Sequence, residues 1–580
     1  MVLVLLLVLA VMAAPAALAG RNDNPQPPGN PDPAGQLVEV QMLAFNDYHG
    51  NLENNFGVRI DGERAGGGEY LATKLDELRA GNKYSITVAA GDLIGGSPAL
   101  SGLFHDEPSV ESLNVMGLDI SGVGNHEFDE GITELLRMQN GGCHPDDGCY
   151  FPDAPYAGAD FQWLSANVVY EDGSGTPLPP YSIERFEGID VAFIGMTLEA
   201  TDTLVAASGV EGLNFLDEAE TANALVPILQ EQGVEAIIVL LHEGGSQTPA
   251  PGDVDACVGI SGPIVAINDA LDPAIDAVVT GHTHLPYNCV LDDPAGNGRM
   301  VTSAYSYGRV VSEFDLVLDK RTQDVRRDLS TAQNHAVWKD GLSPHAGVTA
   351  VIEKWAPLFV ERGSVPVGEI AEDINRGGDP TGSDRGVESA AGNLVADAQQ
   401  WMAAKFTASV VTFMNPGGVR SDLVYADSPH GEPAGVVTYS EALTFQPFGN
   451  TLKTFPMTGA QIVSVLEEQC QPVGSSRPIL HLGVSDGFTY DLSTTVVDGE
   501  CTAISVGNVQ IDGVPLDLGT TYSVTANNFL AEGGDNFTTF GEINQALWYD
   551  NGGDLEALVA YLSEFAPVSA PSTDRVNELP

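Results

Sequence analysis

Basic residues are scarce in this chain. Lysine and arginine together number 24 in 580 residues, against 80 aspartates and glutamates, and the formal net charge is -56. Surfaces that bind nucleic acids are basic, so we expect no nucleic-acid polymer as a partner. The acidity is consistent with solubility, with growth in high salt or with divalent cations nearby, and it assigns no activity by itself.

Long apolar runs are also few. The run "MVLVLLLVLAVMAAPAALA", residues 1–19, ends in the small residues typical of a signal-peptidase site, although a single membrane anchor is the alternative. Residues 20–36 are rich in Pro, Gly and Asn and predict a disordered lead-in. No second long apolar run follows, so we expect no stable membrane insertion after cleavage. The expected location is secreted, extracellular or cell-surface associated, or periplasmic in a Gram-negative cell.

Cysteine is limited to six residues, and none forms a CxxC pair, which argues against a thiolate zinc site. An even number in an exported chain favours three disulfides. Fifteen connectivities are possible, so the pairing stays open. Pairing nearest neighbours would give Cys143–Cys149, Cys257–Cys289 and Cys470–Cys501.

The length predicts at least two domains, because the about 560 residues after the apolar run exceed what one core holds. In residues 37–340, β-rich runs such as "SITVAA" and "EAIIVLL" alternate with helical stretches, which indicates a layered α/β domain. Residues 341–363 include "VTAVIEKWAPLFVERG", which has helical spacing and predicts a connecting helix. A second α/β domain is expected over residues 364–580.

Five segments place residue types that bind metals at the end of an apolar run. In open α/β sheets ligands bind beyond the carboxyl ends of the strands, so these side chains are expected to share one cleft. One such segment arises often by chance, whereas five in this order do not. The segments supply Asp47 and His49 ("LAFNDYHG"), Asp92 ("TVAAGDLIGGS"), Asn125, His126 and Asp129 ("SGVGNHEFDEG"), His242 ("IIVLLHEGG"), and His282 and His284 ("VVTGHTH").

The residue types indicate a centre of two divalent cations. Carboxylate and imidazole ligands suit zinc, manganese, iron or cobalt, and two such ions close together promote in-line displacement at phosphorus. A protonated His126 near the phosphate would stabilise the transition state, and Asp129 would orient it and raise its pKa. The alternative for "HEFD" is an ordinary helix start with an acidic residue near the dipole.

The ordered motifs NDxH, GDxxxGS, GNHEFD, a strand-end histidine and GHTH resemble the metallophosphoesterases, specifically the secreted 5′-nucleotidases and UDP-sugar hydrolases. The resemblance implies an N-terminal four-layer α/β sandwich, a connecting helix and a C-terminal α/β nucleotide-binding domain. It implies one metal on Asp47, His49, Asp92 and His284, another on Asp92, Asn125, His242 and His282, and a catalytic dyad of His126 and Asp129. Many relatives have Gln or Asn where His284 stands, so the choice among Zn, Mn, Co and Fe stays open.

The second domain carries the same resemblance in "DRGVESAAGNL", "MNPGGVRSD", "TFQPFGNTL" and "NNFLAEGGDNF". It implies that two phenylalanines sandwich the base, that an aspartate accepts from the ribose hydroxyls and that two arginines bind phosphate. Core packing and surface ion pairs are the alternatives. The residues concerned are Arg385, Asn415, Arg420, Phe448, Phe529 and Asp535.

The resulting expectation is a dimetal 5′-nucleotidase that acts as a monomer or homodimer. Alternatives in the same site are hydrolysis of UDP-sugars or of nucleoside di- or triphosphates, and 2′,3′-cyclic nucleotide phosphodiesterase with 3′-nucleotidase activity. Relatives of the last kind typically lack the acidic residue of GGD, so Asp535 argues against it. A thiosulfohydrolase and a non-catalytic binding protein fit the intact motifs less well. With metals in one domain and the base clamp in the other, the 341–363 segment is expected to act as a hinge.

Overall fold

The computed structural model of the chain describes residues 36–53, 59–60, 62–247, 252–473, 475, 477–497 and 499–579. The expected signal segment, residues 1–19, and residues 20–35 of the expected lead-in lie outside the described residues. No helix within the described ranges is both long and apolar enough to cross a lipid bilayer.

The first domain contains two large mixed β-sheets with helices on their outer faces. One sheet has the strand order β18-β17-β1-β4-β5-β6 with β19 beside β17, and the other has the order β15-β16-β14-β11-β9-β8. The strands are β1 (Leu37–Phe45), β2 (Arg59–Ile60), β3 (Glu63–Arg64), β4 (Ser85–Ala90), β5 (Ile120–Gly122), β6 (Gln162–Leu164), β7 (Val168–Tyr170), β8 (Tyr181–Phe186), β9 (Ile189–Thr197), β10 (Leu213–Phe215), β11 (Ala236–His242), β12 (Ser246–Gln247), β13 (Ile260–Ser261), β14 (Ala277–Thr280), β15 (Tyr287–Asp292), β16 (Gly298–Ser303), β17 (Val310–Asp319), β18 (Asp324–Val325) and β19 (Thr331–Ala336). The helices, with the one that follows the domain, are α1 (Gly68–Arg79), α2 (Ala99–Gly102), α3 (Glu107–Met116), α4 (Ile132–Asn140), α5 (Glu218–Glu231), α6 (Pro263–Ala270) and α7 (Ala346–Gly363).

The two-residue period of the strands explains why the sheets stack. In β11, Ile238 and Leu240 point into the core between the two sheets, while Ile237 and Val239 pack with α5 and α6 on the outer face. Both faces of such a strand are apolar because each is covered, one by a sheet and one by helices. Helix, sheet, sheet and helix make the four layers that the family resemblance implies, and this expectation is confirmed.

The central strands of both sheets run parallel to their neighbours. Strand β4 pairs in parallel with β1 and β5 in the first sheet, and β11 pairs in parallel with β14 in the second. Parallel strands end at the same edge of a sheet, and the segments after β1, β4, β5, β11 and β14 therefore meet at one edge of the sandwich.

Helix α7 lies between the two domains. It packs on α1, α2 and α3 of the first domain and on α9 (Tyr439–Phe445) of the second. Trp355 of α7 is fully buried, with its ring 4.9 Å from that of Phe104 and 4.8 Å from that of Phe151. This apolar contact anchors the linker to the first domain.

The second domain is built on a five-stranded sheet of order β24-β21-β28-β23-β29. Helices α8, α9 and α13 share a core on one side of it, and α10 and the longer antiparallel strands share a core on the other. The strands are β20 (Pro366–Glu369), β21 (Val411–Met414), β22 (Val436–Thr438), β23 (Thr451–Thr458), β24 (Gly483–Val484), β25 (Phe488–Val497), β26 (Glu500–Ile511), β27 (Val514–Pro515), β28 (Thr521–Asn527), β29 (Tyr549–Gly553) and β30 (Val576–Glu578). The helices besides α9 are α8 (Ala390–Ala403), α10 (Gly459–Glu467), α11 (Asn528–Ala531), α12 (Thr538–Gly541) and α13 (Asp554–Phe565).

Three disulfides join the six cysteines. The pairs are Cys143–Cys149, Cys257–Cys289 and Cys470–Cys501, which is the nearest-neighbour pairing considered from the sequence. The third ties the loop after α10 to strand β26. That loop is closed at its base by the hydrogen bond that Gln471 N donates to Pro478 O.

Candidate active site

Four side chains from three strand ends form the first cluster of metal-binding atoms. One ligand atom each of Asp47, His49, Asp92 and His284 lies within 4.8 Å of the others. His284 Nε2 is 3.1 Å from Asp47 Oδ1, and His49 Nε2 is 3.5 Å from Asp92 Oδ2. His49 Nδ1 donates to Gly95 O at 2.7 Å, which leaves Nε2 with a lone pair for a ligand.

A second cluster shares Asp92 with the first. Ligand atoms of Asp92, His242 and His282 lie within 4.8 Å of one another. Asn125 joins them, because its Oδ1 is 3.1 Å from His282 Nδ1. Asp92 therefore occupies the bridging position between the two clusters, as a carboxylate between two cations would.

The backbone beneath these ligands is unusual. Left-handed φ angles are rare for residues other than glycine and persist where the surrounding structure imposes them. Five of the seven ligand residues have φ between 46° and 70°, namely Asp47, His49, Asp92, His282 and His284.

The protonation of three of the four cluster histidines agrees with cation binding. Burial lowers the pKa of His49, His282 and His284 well below the usual value, so their rings are neutral and able to coordinate. Burial also lowers the pKa of His242, but the carboxylates of Asp92 and Asp47 outweigh it and raise that pKa.

The buried His242 ring faces the shared carboxylate. His242 Nδ1 donates to Ala90 O at 2.7 Å, and its buried Nε2 lies 3.0 Å from Asp92 Oδ2 without the geometry of a hydrogen bond. Two buried carboxylates and several inward-facing imidazole nitrogens form a donor set that two divalent ions fit.

His126 and Asp129 lie beside the clusters, in and just after the 3₁₀ turn His126–Phe128. His126 Nδ1 is 2.9 Å from Asp129 Oδ2, and its backbone N–H donates to Asp92 Oδ1 at 2.9 Å. Burial lowers the pKa of His126, but Asp129 and Asp92 more than offset this and raise it above the usual value. These carboxylates therefore favour the imidazolium form more than water does in a free histidine.

Both domains line one cavity of about 390 Å³, within the range of small-molecule sites. The second domain contributes all six residues that the sequence analysis names as substrate-binding. The first domain contributes metal-cluster and dyad residues to the same wall. The cavity contains Asn125, His126, Asp129 and His282 from the first domain and Arg385, Asn415, Arg420, Phe448, Phe529 and Asp535 from the second.

The substrate-binding candidates are held by specific contacts. Asn415 Nδ2 donates to Asp535 Oδ2 at 3.0 Å, which fixes that carboxylate at the cavity wall. The ring of Phe448 lies nearly parallel to the His126 imidazole, with centroids 5.6 Å apart. A Cβ placed on Gly96 would lie 3.3 Å from Arg420 Nε, so glycine allows this arginine close to the first domain.

Comparison with known proteins shows what this architecture is similar to. The calcineurin-like phosphoesterase profile matches residues 41–286, and the profile of the 5′-nucleotidase C-terminal domain matches residues 366–542. A cell wall protein of Listeria monocytogenes is 34% identical over 555 residues, which cover 92% of this chain and 68% of that relative. The chain belongs to the 5′-nucleotidase family of metal-dependent phosphoesterases.

Other similar proteins differ from this chain in length and carry different names. An endonuclease of Bacillus subtilis is 31% identical over 548 residues, and the match spans 93% of this chain but 41% of the endonuclease. The solved structure of a 5′-nucleotidase precursor from Thermus thermophilus has a TM-score of 0.73 at 23% identity and covers 93% of this chain and 99% of its own. That likeness concerns the fold.

Sequence reasoning missed Glu127, which stands between the two dyad residues. Its buried carboxylate accepts three backbone N–H groups, from Asp92 at 2.9 Å, Leu93 at 2.8 Å and Gly124 at 2.6 Å. It therefore joins the loop that bears Asp92 to the loop that bears Asn125. An acidic residue inside the GNHEFD motif was the available signal.

Arg477 is a second residue that the sequence did not reveal. It lines the cavity with Arg385 and Arg420, which makes three arginines around one space. Burial lowers the pKa of Arg385 and Arg477, and the neighbouring arginines lower both further. Arg420 Nη2 is buried without a hydrogen-bond partner. Such mutual repulsion indicates an anionic ligand between the guanidinium groups.

Proposed function

We propose that this protein is an exported phosphohydrolase that converts nucleoside 5′-monophosphates to nucleoside and phosphate. The observation that carries the proposal is one cavity lined by Asn125 and His282 of the second cluster, by the dyad, by three arginines and by two phenylalanines, next to the shared Asp92. Metal ligands favour phosphoryl chemistry, the arginines favour an anion, and the aromatic rings favour a base.

The seven clustered side chains would hold the two divalent ions, which when bound supply Lewis-acid activation of water and neutralise charge on the phosphoryl group. His126 donates a hydrogen bond from Nε2 to a phosphoryl oxygen as charge develops, and Asp129 keeps the proton on Nδ1. Arg385, Arg420 and Arg477 orient the remaining phosphate oxygens.

Recognition of the nucleoside falls to the second domain. Phe448 and Phe529 stack on the base, which tolerates different bases because every base has a π-face. Asp535, held by Asn415, accepts from the ribose hydroxyls. Export is supported by the apolar segment at residues 1–19 and by three disulfides.

A second candidate is hydrolysis of UDP-sugars or nucleoside diphosphates in the same site. Arg477 favours it, since a third guanidinium provides a partner for a further phosphate. Asp535 lines the cavity and would accept hydrogen bonds from free ribose hydroxyls. A 2′,3′-cyclic nucleotide has no free hydroxyl at these positions, so Asp535 disfavours it.

The test is release of adenosine and inorganic phosphate from 5′-AMP by the mature protein with manganese, followed by chromatography. We expect both products, and we expect their loss after EDTA treatment and in His126→Ala. Intact AMP in every sample would refute the proposal. UDP-glucose, 2′,3′-cyclic AMP and a single-stranded oligonucleotide, assayed in parallel, would then identify the alternative.

A further inference from the structure

On the first-domain side, the His126 ring has one hydrogen-bonding side chain and one ring contact. Asp129 holds Nδ1 at 2.9 Å, and the ring of His49 meets it edge-on at 5.1 Å between centroids. The side chain remains 14% exposed toward the cavity. The χ2 torsion of histidine is broad and roughly two-fold, so the contact with Asp129 does not by itself fix the orientation of the ring plane.

The second domain supplies a further contact to this ring. Phe448 lies offset over the imidazole, with centroids 5.6 Å apart and planes inclined by 18°. This is the range in which aromatic rings attract one another by offset stacking. Among the described residues, His49 and Phe448 are the aromatic neighbours of His126.

Phe448 is itself held in place by its surroundings. It lies in the short connection between α9 and β23, and the guanidinium of Arg420 lies 5.7 Å from the centre of its ring. Arg420 N donates to Phe445 O at 3.0 Å, which ties the two loops together. Arg420 also lies close to Gly96 of the first domain, so the loop with Phe448 sits next to the dyad.

We propose that Phe448 is a positioning residue for His126, in addition to any contact it makes with a base. Its ring limits rotation of the imidazole, so that Nδ1 stays on Asp129 while Nε2 faces the phosphoryl group. The second domain then takes part in the chemical step, as well as in substrate recognition. This inference rests on the proposed phosphoryl chemistry and does not require a nucleotide substrate.

Base stacking and imidazole positioning differ in what they predict for a substrate without a base. Ribose 5-phosphate keeps the ribose and phosphate of AMP and lacks the ring that Phe448 would stack on. If Phe448 only stacked on the base, its loss would raise KM for AMP and leave kcat for ribose 5-phosphate unchanged. If it positions His126, kcat falls for both substrates.

The experiment measures kcat and KM of Phe448→Leu with AMP and with ribose 5-phosphate at saturating manganese. We expect kcat for ribose 5-phosphate to fall about two- to tenfold, the effect of losing one stacked pair. Phe448→Tyr keeps the ring, and it is expected to restore kcat. Should Phe448→Leu fail to fold, Phe448→Met retains the apolar volume without a ring and takes its place.

Two further variants separate positioning from general disturbance. Phe406→Leu changes a phenylalanine that is 56% exposed on the second domain, and it should match the wild type in both assays. Phe529→Leu removes the other aromatic side chain proposed to stack on the base. It shows how loss of base stacking alone changes KM for AMP, and kcat for ribose 5-phosphate should stay at the wild-type value.

An unchanged kcat for ribose 5-phosphate in Phe448→Leu, or no recovery in Phe448→Tyr, overturns the inference. Wild-type hydrolysis of ribose 5-phosphate without AMP hydrolysis would overturn the proposed substrate and leave this test intact. No hydrolysis of either overturns both.

Discussion

Replacing Glu127 by glutamine tests whether this carboxylate holds the metal loops together. Its Oε2 accepts from Asp92 N and Gly124 N, and its Oε1 accepts from Leu93 N. Glutamine offers one acceptor oxygen, so at least one of the three buried N–H groups loses its acceptor and faces an NH₂ group. A buried donor left unsatisfied costs about 1–3 kcal/mol.

Because Asp92 belongs to both clusters, that displacement should act on both metal sites. Residues that orient metal ligands typically change metal affinity or activity by about 10- to 100-fold when altered. We therefore expect Glu127→Gln to give up its metals at a 10- to 100-fold lower concentration of a competing chelator. The unfolding free energy in urea should also fall by about 1–3 kcal/mol.

The assay follows metal content by mass spectrometry during chelator titration at pH 8, with urea unfolding of the same samples. Glu218→Gln serves as the control, since this buried carboxylate accepts from Glu199 N at 2.7 Å and belongs to neither metal cluster at the cavity. The amide oxygen introduced by Glu218→Gln can keep this hydrogen bond, so both the unfolding free energy and the chelator resistance should stay near the wild-type level. If the two variants lose stability equally and retain metals equally, Glu127 has no role in shaping the metal site.

Three other substitutions have expected outcomes. Asp92→Asn should reduce the metal content from two ions toward none, because both clusters include it, and retention of both ions would contradict its bridging position. Arg477→Met should raise KM for AMP by about tenfold or more through loss of a charge-assisted hydrogen bond, with the exposed Arg321→Met unchanged. Burial raises the pKa of Asp554 to about 7, so the folded state retains a proton that the unfolded state releases near pH 4. Relative to Asp554→Asn, the wild type should therefore lose unfolding free energy from about pH 4 up to pH 7 and none above it, as measured by urea unfolding at each pH. A constant difference across that range would show that the pKa of Asp554 is not raised.

Much of the first domain could be predicted because its information is local. The central strands are apolar on both faces, which predicts that each face is covered by another layer. Metal-binding residue types follow five strands, which predicts that their side chains share one cleft, and the structure brings them together. Glu127 stands in the GNHEFD motif, but its role depends on a second loop, the one with Asp92 and Leu93, coming within hydrogen-bond reach. Arg477 lies in the loop "CQPVGSSRPIL", and only tertiary packing carries it to the cavity. The four-stranded sheet around β25 and β26 escaped prediction because many of its side chains are half-exposed and polar, which blurs the alternation.

The left-handed backbone at five candidate metal ligands limits which positions can be used to raise the thermal stability of this protein. Each such residue costs roughly 1–3 kcal/mol relative to relaxed backbone. Substitution by glycine would relieve the backbone strain but remove the metal-binding side chain. The positions with the largest expected gain in stability are therefore the ones that cannot be changed without loss of metal binding. Improvements in stability therefore have to come from elsewhere in the chain.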